Sequence, residues 1–211
     1  MIARAISISE EFNPIKGKSI KMETRRPVHV RLWDYNDYST AVGTTGRVAR
    51  IVAWDKHRDL ALLRLDDKER IIKNVAHLWP EKVGGPYLFQ TVWAIGSGMS
   101  NPPYPTQGLL SGISGKDSAG RSLYLSSSPI IFGNSGGSLW AHSKKRERYE
   151  LIGIPSAAGA YGWGTIVSHI AWSRPISEIR AFLRANDFGF IIGDKDKAKP
   201  KKKEDKDEKE G

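Results

Sequence analysis

Apolar side chains recur mostly at every second position along the chain or in short solid runs, which is the pattern of β-strands. The segment from Val28 to Leu32 alternates apolar and polar residues, as a strand with one buried face does. The other segments of this kind are 48–54, 60–65, 90–95, 106–113, 123–125, 137–140, 151–154 and 166–172. Many short strands with Gly and Pro turns between them favour an antiparallel sandwich or barrel over alternating strands and helices.

One helix is predicted near the end of the chain. Pro175 pre-sets the backbone of its first turn. Four apolar residues then recur at helical spacing on one face: Ile176, Ile179, Phe182 and Leu183. Arg180 and Arg184 are expected on the opposite, polar face. The sequence therefore predicts an all-β body followed by a C-terminal helix.

A length of 211 residues suits one compact domain, or two small barrels that share a cleft. From Asp194 onward Lys alternates with Asp and Glu, and the only apolar residues are Ala198 and Pro200. Such a segment cannot bury a core, so we predict a folded domain over 1–193 and a disordered charged tail over 194–211.

The chain has no cysteine, which excludes a disulfide scaffold and fits a reducing compartment. No apolar run approaches the roughly 18 residues of a membrane helix, and the first residues lack the layout of a signal peptide. We therefore expect no membrane partner and favour a cytoplasmic location. Nothing in the sequence predicts a cofactor or a metal site.

The net charge of +10 raises the question of nucleic acid. The tail contributes about +1 of it, because its eight Lys face seven acidic residues. The remaining basic residues are scattered and do not interleave with exposed aromatic residues, so a solvated basic surface is favoured and a nucleic-acid groove is the weaker alternative.

The strongest chemical signal is Ser135, which lies in the glycine-rich segment Gly133–Gly137. Glycines on both sides let a serine hydroxyl project from a tight loop, and the same loop can turn backbone N–H groups toward one point. In acyl-transfer enzymes such N–H groups form the oxyanion hole. Taken alone, the segment could also be a glycine-rich turn with an incidental serine.

The flanking segments strengthen the first interpretation. Leu123–Trp140 resembles the nucleophile segment of trypsin-like serine proteases, especially the HtrA type, and Ala49–Leu65 resembles the segment that carries the triad aspartate. Two stretches between them, 92–98 and 106–113, resemble the inter-barrel strand and the strand that opens the second barrel. Four matches in the same order over about 110 residues are far more specific than any one of them.

This resemblance implies two six-stranded antiparallel β-barrels, of which the first is incomplete here, with a C-terminal helix. It implies that Ser135 is the nucleophile and Asp59 the orienting acid. Gly133, Asn134 and Ser135 would form the oxyanion hole, on the family's pattern. The implied substrate is a polypeptide, bound along a strand that includes Ala171, Trp172 and Ser173. No acidic residue lies between Pro155 and Ser173, so small or apolar substrate side chains are expected.

The catalytic histidine of the family has no counterpart among the five histidines, His29, His57, His77, His142 and His169. Each of them lies in the wrong setting or in the wrong order relative to Asp59 and Ser135. The first residues read like the segment that directly follows the missing histidine, so we expect a chain truncated before or at that residue, or else a degenerate protease.

Two other enzyme classes are disfavoured. The nucleophile elbow of an α/β-hydrolase needs a helix after the serine, whereas Ser138-Leu139-Trp140 has a strand pattern. A P-loop is excluded because Gly115-Lys116 is followed by Asp117 and no glycine stands five residues earlier. The prediction is a serine endopeptidase that acts through an acyl-enzyme on Ser135 and is inactive if the histidine is absent. The alternative is a non-catalytic pseudoprotease or peptide-binding module.

Overall fold

In the computed structural model the protein is an all-β molecule with one α-helix. The structure describes residues 5–13, 18–37, 40–66, 72, 75–162 and 164–194. Eleven strands fall within these residues, and the strand segments expected from the apolar pattern are all found. The expected polar turn between residues 55 and 59 also separates two strands, as predicted.

The N-terminal region contains two small antiparallel sheets. Strands β1 and β2 form a hairpin, and β3, β4 and β5 form a three-stranded sheet in that order. Their bounds are β1 Ile6–Asn13, β2 Lys18–Arg25, β3 Val28–Asn36, β4 Thr40–Asp55 and β5 Leu60–Leu65. The β1–β2 hairpin was not predicted, although Ile6 and Ile8 alternate with serines in β1 and Ile20 and Met22 alternate with polar residues in β2. Among the described residues neither sheet closes into a barrel.

The second region is a closed six-stranded barrel with the strand order β10-β11-β8-β7-β6-β9. The bounds are β6 Thr91–Gly96, β7 Tyr104–Lys116, β8 Ser122–Ser126, β9 Ser138–Ser143, β10 Arg148–Tyr161 and β11 Thr165–Pro175. All its neighbouring strands are antiparallel. The fold class is thus confirmed: one complete barrel, one incomplete barrel and a C-terminal helix.

The main core fills this closed barrel. Side chains from five of its strands are at most 1% exposed: Val92, Ala94, Leu110, Leu139, Ala141, Ile152 and Ala171. From the described part of the N-terminal region the buried Ala53 and Leu60 join the same cluster, and the partly buried Leu62 packs against it. The barrel therefore carries most of the apolar burial that stabilises the fold.

The helix α1 spans Ile176–Ala185 and packs its predicted apolar face against the barrel core. Its two arginines differ. Arg184 lies on the surface and pairs with Glu81 at 2.7 Å and with Asp194 at 2.8 Å. Arg180 was predicted to be exposed, and that prediction was wrong: it is 7% exposed and donates a hydrogen bond to the Trp79 carbonyl at 2.8 Å. The Trp79 carbonyl, in the loop that packs against the helix, thus gives the buried guanidinium a hydrogen-bond partner.

The predicted disordered tail lies outside the described residues except for Asp194. Asp194 accepts hydrogen bonds from Arg184 and so belongs to the folded part. No helix within the described ranges is both long enough and apolar enough to cross a membrane.

Candidate active site

The loop that carries Ser135 connects β8 to β9 and is held against the short segment after β6. Gly133 has a φ of 100°, a conformation that favours glycine. A Cβ at this position would also collide with the Ser97 carbonyl oxygen. Glycine is therefore required at position 133 by backbone geometry and by space, and the loop keeps one shape. The hydroxyl of Ser135 lies on the exposed side of that loop.

Asn134 anchors the loop from below. Its side chain is buried, with 1% of the residue exposed, and its Oδ1 accepts a hydrogen bond from the Ile131 N–H at 3.0 Å. The Asn134 N–H in turn donates to the Ile131 carbonyl at 3.1 Å. This pair of bonds closes a tight turn immediately before Ser135. The Asn134 N–H is therefore occupied by the turn itself.

Two other N–H groups of the loop stay unpaired. The Phe132 carbonyl accepts a hydrogen bond from the Met99 N–H at 2.7 Å, which fixes the plane of the peptide between Phe132 and Gly133. Because C=O and N–H point in opposite directions in a trans peptide, the Gly133 N–H points away from Met99. Within the described part of the chain neither the Gly133 nor the Ser135 N–H has a hydrogen-bond partner. Such free donors beside a hydroxyl can bind a developing oxyanion.

Asp59 ends the turn between β4 and β5 and has a φ of 54°, so its backbone is left-handed. The turn is braced by Asp55, whose Oδ1 accepts the Arg58 N–H at 2.9 Å and whose Oδ2 accepts the Arg58 guanidinium at 2.6 Å. Burial alone would raise the pKa of Asp55, but these hydrogen bonds outweigh it and hold the pKa below its usual range. Asp55 therefore keeps its charge and the turn keeps its brace at neutral pH.

A cleft of about 190 Å³ brings the two predicted catalytic residues together. Asp59 and Ser135 both line it, one from the N-terminal sheet and the other from the closed barrel. The remaining lining residues are Ile6, Trp54, Asp55, Lys56, Leu60, Ala61, Gly136, Ile154 and Pro155. The cleft thus lies between the two regions, with an acid on one wall and a hydroxyl on the other.

None of the five histidines lines this cleft. His57 lies in the same turn as Asp59 but is exposed, and His29 is exposed on β3. His142 packs edge-on against Tyr149 at 5.2 Å, on the outer surface of the barrel. The absence of a general base between Asp59 and Ser135 stays a prediction.

The predicted substrate-binding residues lie one strand away from Ser135. On β11, Ala171 and Ser173 are each 1% exposed and Trp172 is half-buried. None of the three is among the residues that line the cleft. Their role stays a prediction.

The residues that do lie beside Ser135 are on β10, and the sequence did not single them out. The Ser135 hydroxyl is 3.4 Å from the Ser156 carbonyl oxygen, and the Gly136 N–H donates to the Pro155 carbonyl at 2.8 Å. The β10–β11 register shifts between Pro155 and Ala157, so Ser156 sits in a bulge. A proline inside an apolar strand was the available signal, since proline in a sheet marks an edge or a bulge.

Among the described side chains no group of three or more His, Cys, Asp or Glu could hold a metal ion. The polar residues that line the cleft are Asp55, Lys56, Asp59 and Ser135.

Comparison with known proteins finds no matching family model and no matching curated relative. Solved structures do match. The chain is similar to the HtrA-type protease AlgW with a tripeptide, at a TM-score of 0.56 and 18% identity, over 86% of this chain and 59% of that one. For AlgW with a decapeptide the values are 0.55 and 19%, over 82% and 55%.

A crystal structure of Deg5 is similar at a TM-score of 0.52 and 22% identity, over 72% of this chain and 65% of Deg5. The chain thus spans less than two thirds of the length of each of these structures. The order of strands, the cleft and these likenesses agree on one architecture. The protein has the trypsin-like β-barrel fold of the HtrA-type proteases.

Proposed function

We propose that the cleft is a serine-endopeptidase-type site in which Ser135 is the nucleophile and Asp59 the residue that orients a general base. The observation that carries the proposal is the shared cleft: Asp59 and Ser135, distant in sequence, both line the same space. The free N–H groups of Gly133 and Ser135 support it, because an acyl-transfer site needs such donors.

In the proposed reaction the Ser135 oxygen attacks a peptide carbonyl carbon and its proton passes to an imidazole. The oxyanion that forms accepts hydrogen bonds from the Gly133 and Ser135 N–H groups. One such donor typically stabilises the transition state by about 3 kcal/mol. The imidazolium then protonates the leaving amine, and the carbonyl stays on Ser135 as an ester. Water, deprotonated by the same imidazole, releases the acid and restores the hydroxyl.

This chain supplies Ser135 and Asp59 but no imidazole, so we infer that it does not turn over peptides by itself. Serine is a weak nucleophile until a neighbouring base takes its proton. Trp54, Ile6 and Ala61 line the same cleft as Asp59, and its volume of about 190 Å³ exceeds that of an imidazole ring. Free imidazole bound in the cleft would restore the missing group.

For the substrate we propose an extended polypeptide. The Ser156 carbonyl lies beside Ser135 in a β-bulge, where Ser156 has no register partner on β11, and we propose that it accepts a substrate N–H. Ala171, Trp172 and Ser173 back this strand: they pair with Ala158, Ala157 and Pro155. In this arrangement they lie next to the strand that contacts the substrate, and we propose that they favour small or apolar substrate side chains.

A fluorophosphonate probe tests the nucleophile. We expect negligible labelling of the purified chain, and labelling of Ser135 that rises at least about tenfold when imidazole is added, as general-base catalysis allows. The Ser135→Ala variant should stay unlabelled in both conditions. A second serine with similar exposure, Ser118, provides the control: Ser118→Ala should leave the labelling unchanged.

Two results would contradict the proposal. Strong labelling of Ser135 without imidazole would show that the chain already contains a base, and the inference of inactivity would fall. No labelling at any imidazole concentration, with Asp59→Asn behaving like the parent chain, would show that the cleft does not activate Ser135.

The second candidate function is peptide binding without hydrolysis, and the same missing imidazole favours it. Here the β10 bulge holds a peptide and Ser135 does no chemistry. Isothermal titration with a decapeptide of small apolar residues distinguishes the two: heat of binding that persists in Ser135→Ala, with no product in either protein under imidazole, supports the binding role. Cleavage under imidazole supports the endopeptidase.

A further inference from the structure

The outer surface of the closed barrel carries an apolar groove that the active site does not use. It has a volume of about 440 Å³ and is lined by Trp93, Ile95, Pro105, Trp140 and Tyr149. These residues come from four adjacent strands, and Trp93 pairs directly with Trp140 across β6 and β9. The active-site cleft shares none of these residues.

The strand β6 shows why this surface is unusual. Val92 and Ala94 point into the barrel and are at most 1% exposed, while Trp93 and Ile95 point outward. A strand that is apolar on both faces is normally covered on both faces. In the described part of the chain nothing covers the outer one, and Tyr149 remains 50% exposed at its edge.

The geometry of the barrel decides how a ligand can bind there. The strands β6 and β9, which form the middle of the groove, are paired on both sides, so neither offers a free edge there. An incoming peptide therefore cannot add a β-strand and must bind through side chains. Flat indole, phenol and pyrrolidine faces are the surfaces on which polyproline segments dock.

Hydrogen-bond donors lie on the same rings. The Trp140 indole N–H donates to the Ser138 hydroxyl at 2.7 Å, but the Trp93 indole N–H and the Tyr149 hydroxyl have no partner within the described residues. A polyproline II segment has no internal hydrogen bonds, so its carbonyls are free to accept from these donors. The groove thus offers stacking surfaces and donors together.

The charge beside the groove indicates what flanks the ligand. Residues 87–115, which include β6 and β7, contain no charged side chain. The charges beside the groove therefore come from the turn between β9 and β10. Lys144 and Lys145 are exposed there and have no ionic partner in the described part of the chain, whereas Arg146 and Arg148 share the single carboxylate of the buried Glu150. With the exposed Glu147 included, residues 144–150 keep a net charge of +2. Register places this turn directly beyond the His142–Tyr149 pair at the rim of the groove.

We propose that this groove binds a proline-rich segment of another protein, flanked by acidic residues. The aromatic lining takes the prolines, and Lys144 and Lys145 take the acidic flank. This interaction is independent of the cleft and of the chemistry at Ser135.

Fluorescence anisotropy tests the proposal on the full chain with a labelled peptide, Pro-Pro-Leu-Pro-Pro-Leu flanked at both ends by Glu-Glu. We expect Tyr149→Ala to weaken binding by about tenfold or more, as loss of an aromatic anchor does. Tyr161→Ala is the matched control, because Tyr161 is an exposed tyrosine at the other end of the same strand. It should leave the affinity unchanged within about twofold.

The acidic flank is tested from both sides. The double variant Lys144→Glu with Lys145→Glu should weaken binding of the acidic peptide about fivefold and strengthen binding of a Lys-flanked peptide. Both effects should become smaller as the salt concentration is raised. If Tyr149→Ala unfolds the chain, Pro105→Ser gives the same test from the opposite wall of the groove.

Three results would overturn the proposal. One is equal binding of a peptide in which Ser and Gly replace the prolines. Another is binding that neither Tyr149→Ala nor Pro105→Ser weakens. The third is a concentration-dependent dimer in sedimentation that Tyr149→Ala abolishes, which would make a second copy of this chain the occupant.

Discussion

The two halves of the molecule are held together in different ways. The barrel of β6 to β11 closes on itself, leaves no strand edge and buries a continuous core, whereas β1 to β5 form two small sheets with few fully buried side chains. Closed barrels gain stability from every pair of neighbouring strands, while an open sheet leaves unpaired backbone groups at its edges.

This difference divides the candidate active site. Ser135 and the loop around it belong to the closed half, and Asp59 belongs to the open half. Two contacts join the halves near the site: Arg58 lies 3.4 Å from Glu178 of α1, and the Tyr35 hydroxyl donates to the Pro103 carbonyl at 2.6 Å. The position of the acid relative to the nucleophile thus depends on these polar contacts and on the burial of Ala53 and Leu60 in the core of the barrel.

The largest effect on stability is expected when a buried leucine of the barrel is truncated, compared with a half-buried leucine of the open half. Leu139 is 0% exposed in the barrel core, and Leu139→Ala should lower the free energy of unfolding by about 3 kcal/mol. Leu32 is only half-buried on β3, so Leu32→Ala should cost about 1 kcal/mol. Urea unfolding of both variants measures the contrast. Equal losses would mean that the open half is packed as tightly as the barrel.

Replacing a glycine with alanine, which adds a methyl group, should also affect the stability of the two halves differently. A Cβ at Gly108 would collide with the Ser128 backbone N, which cannot move without disturbing β8, so Gly108→Ala should cost about 2 kcal/mol. At Gly46 on β4 nothing lies within 4 Å of the added carbon. Gly46→Ala should therefore be neutral or stabilising, by up to about 1 kcal/mol. Thermal unfolding checks the pair, and a stabilised Gly108→Ala would contradict the packing described for the barrel.

Acid pH should distinguish a buried ion pair from an exposed one. Burial alone would raise the pKa of Glu150, but hydrogen bonds from Arg146 and Arg148 outweigh it and lower the pKa. A lowered pKa in the folded state stabilises the protein above the unfolded-state pKa, and that stabilisation is lost as pH falls. At pH 7 Glu150→Gln should cost about 1.5 kcal/mol.

Below about pH 4 the difference between Glu150→Gln and the parent chain should shrink, because the parent then loses its charge as well. The exposed pair in the hairpin is the control: Glu10 lies 3.7 Å from Lys21. Glu10→Gln should change stability by less than about 0.5 kcal/mol at pH 7. Urea unfolding at pH 7 and pH 3 measures both. A difference that grows at acid pH would mean that the direction of the Glu150 shift is reversed.

The smallest effect on stability, under about 1 kcal/mol, is expected at the joint between the halves. Arg58→Ala removes the contact with Glu178 and the brace on Asp55, so the turn that carries Asp59 loses its support. We expect imidazole-dependent labelling of Ser135 to slow several-fold. Arg50→Ala, which breaks the surface pair with Asp66 at 2.8 Å, should leave that rate unchanged. Equal rates for the two variants would show that Arg58 does not position the acid.

Much of the fold was readable from the sequence because the barrel strands follow a simple rule. Apolar residues that alternate, as in β3, and short solid apolar runs, as in β6, both predict strands. The β1–β2 hairpin carries a short alternating pattern as well, but its register sets Ile6 opposite Arg25 and Ile8 opposite Glu23, so the pattern produces no continuous apolar face. The burial of Arg180 had no signal in the sequence, because its partner is a backbone carbonyl 101 residues away.

The site was readable in part. Ser135 and Asp59 carry local signals, a glycine-rich loop and a turn before an apolar strand, and the structure brings them to one cleft. The contact between Ser135 and Ser156 depends on a bulge in β10 and on how β10 passes the nucleophile loop. Such a tertiary contact has no local pattern, so the sequence directed attention to β11 instead.

The fit of the nucleophile loop against the end of β6 has an evolutionary consequence. A Cβ at Gly96 would lie 2.9 Å from the Asn134 amide nitrogen, and one at Gly137 would lie 2.9 Å from the Asn134 carbonyl oxygen. These glycines are required by packing, whether or not any bond is ever cleaved. In a lineage that has abandoned catalysis, selection for folding alone would preserve them while Ser135 drifted freely. Glycines in such a segment therefore indicate the shape of the loop, whereas catalysis is indicated only by the serine together with its base.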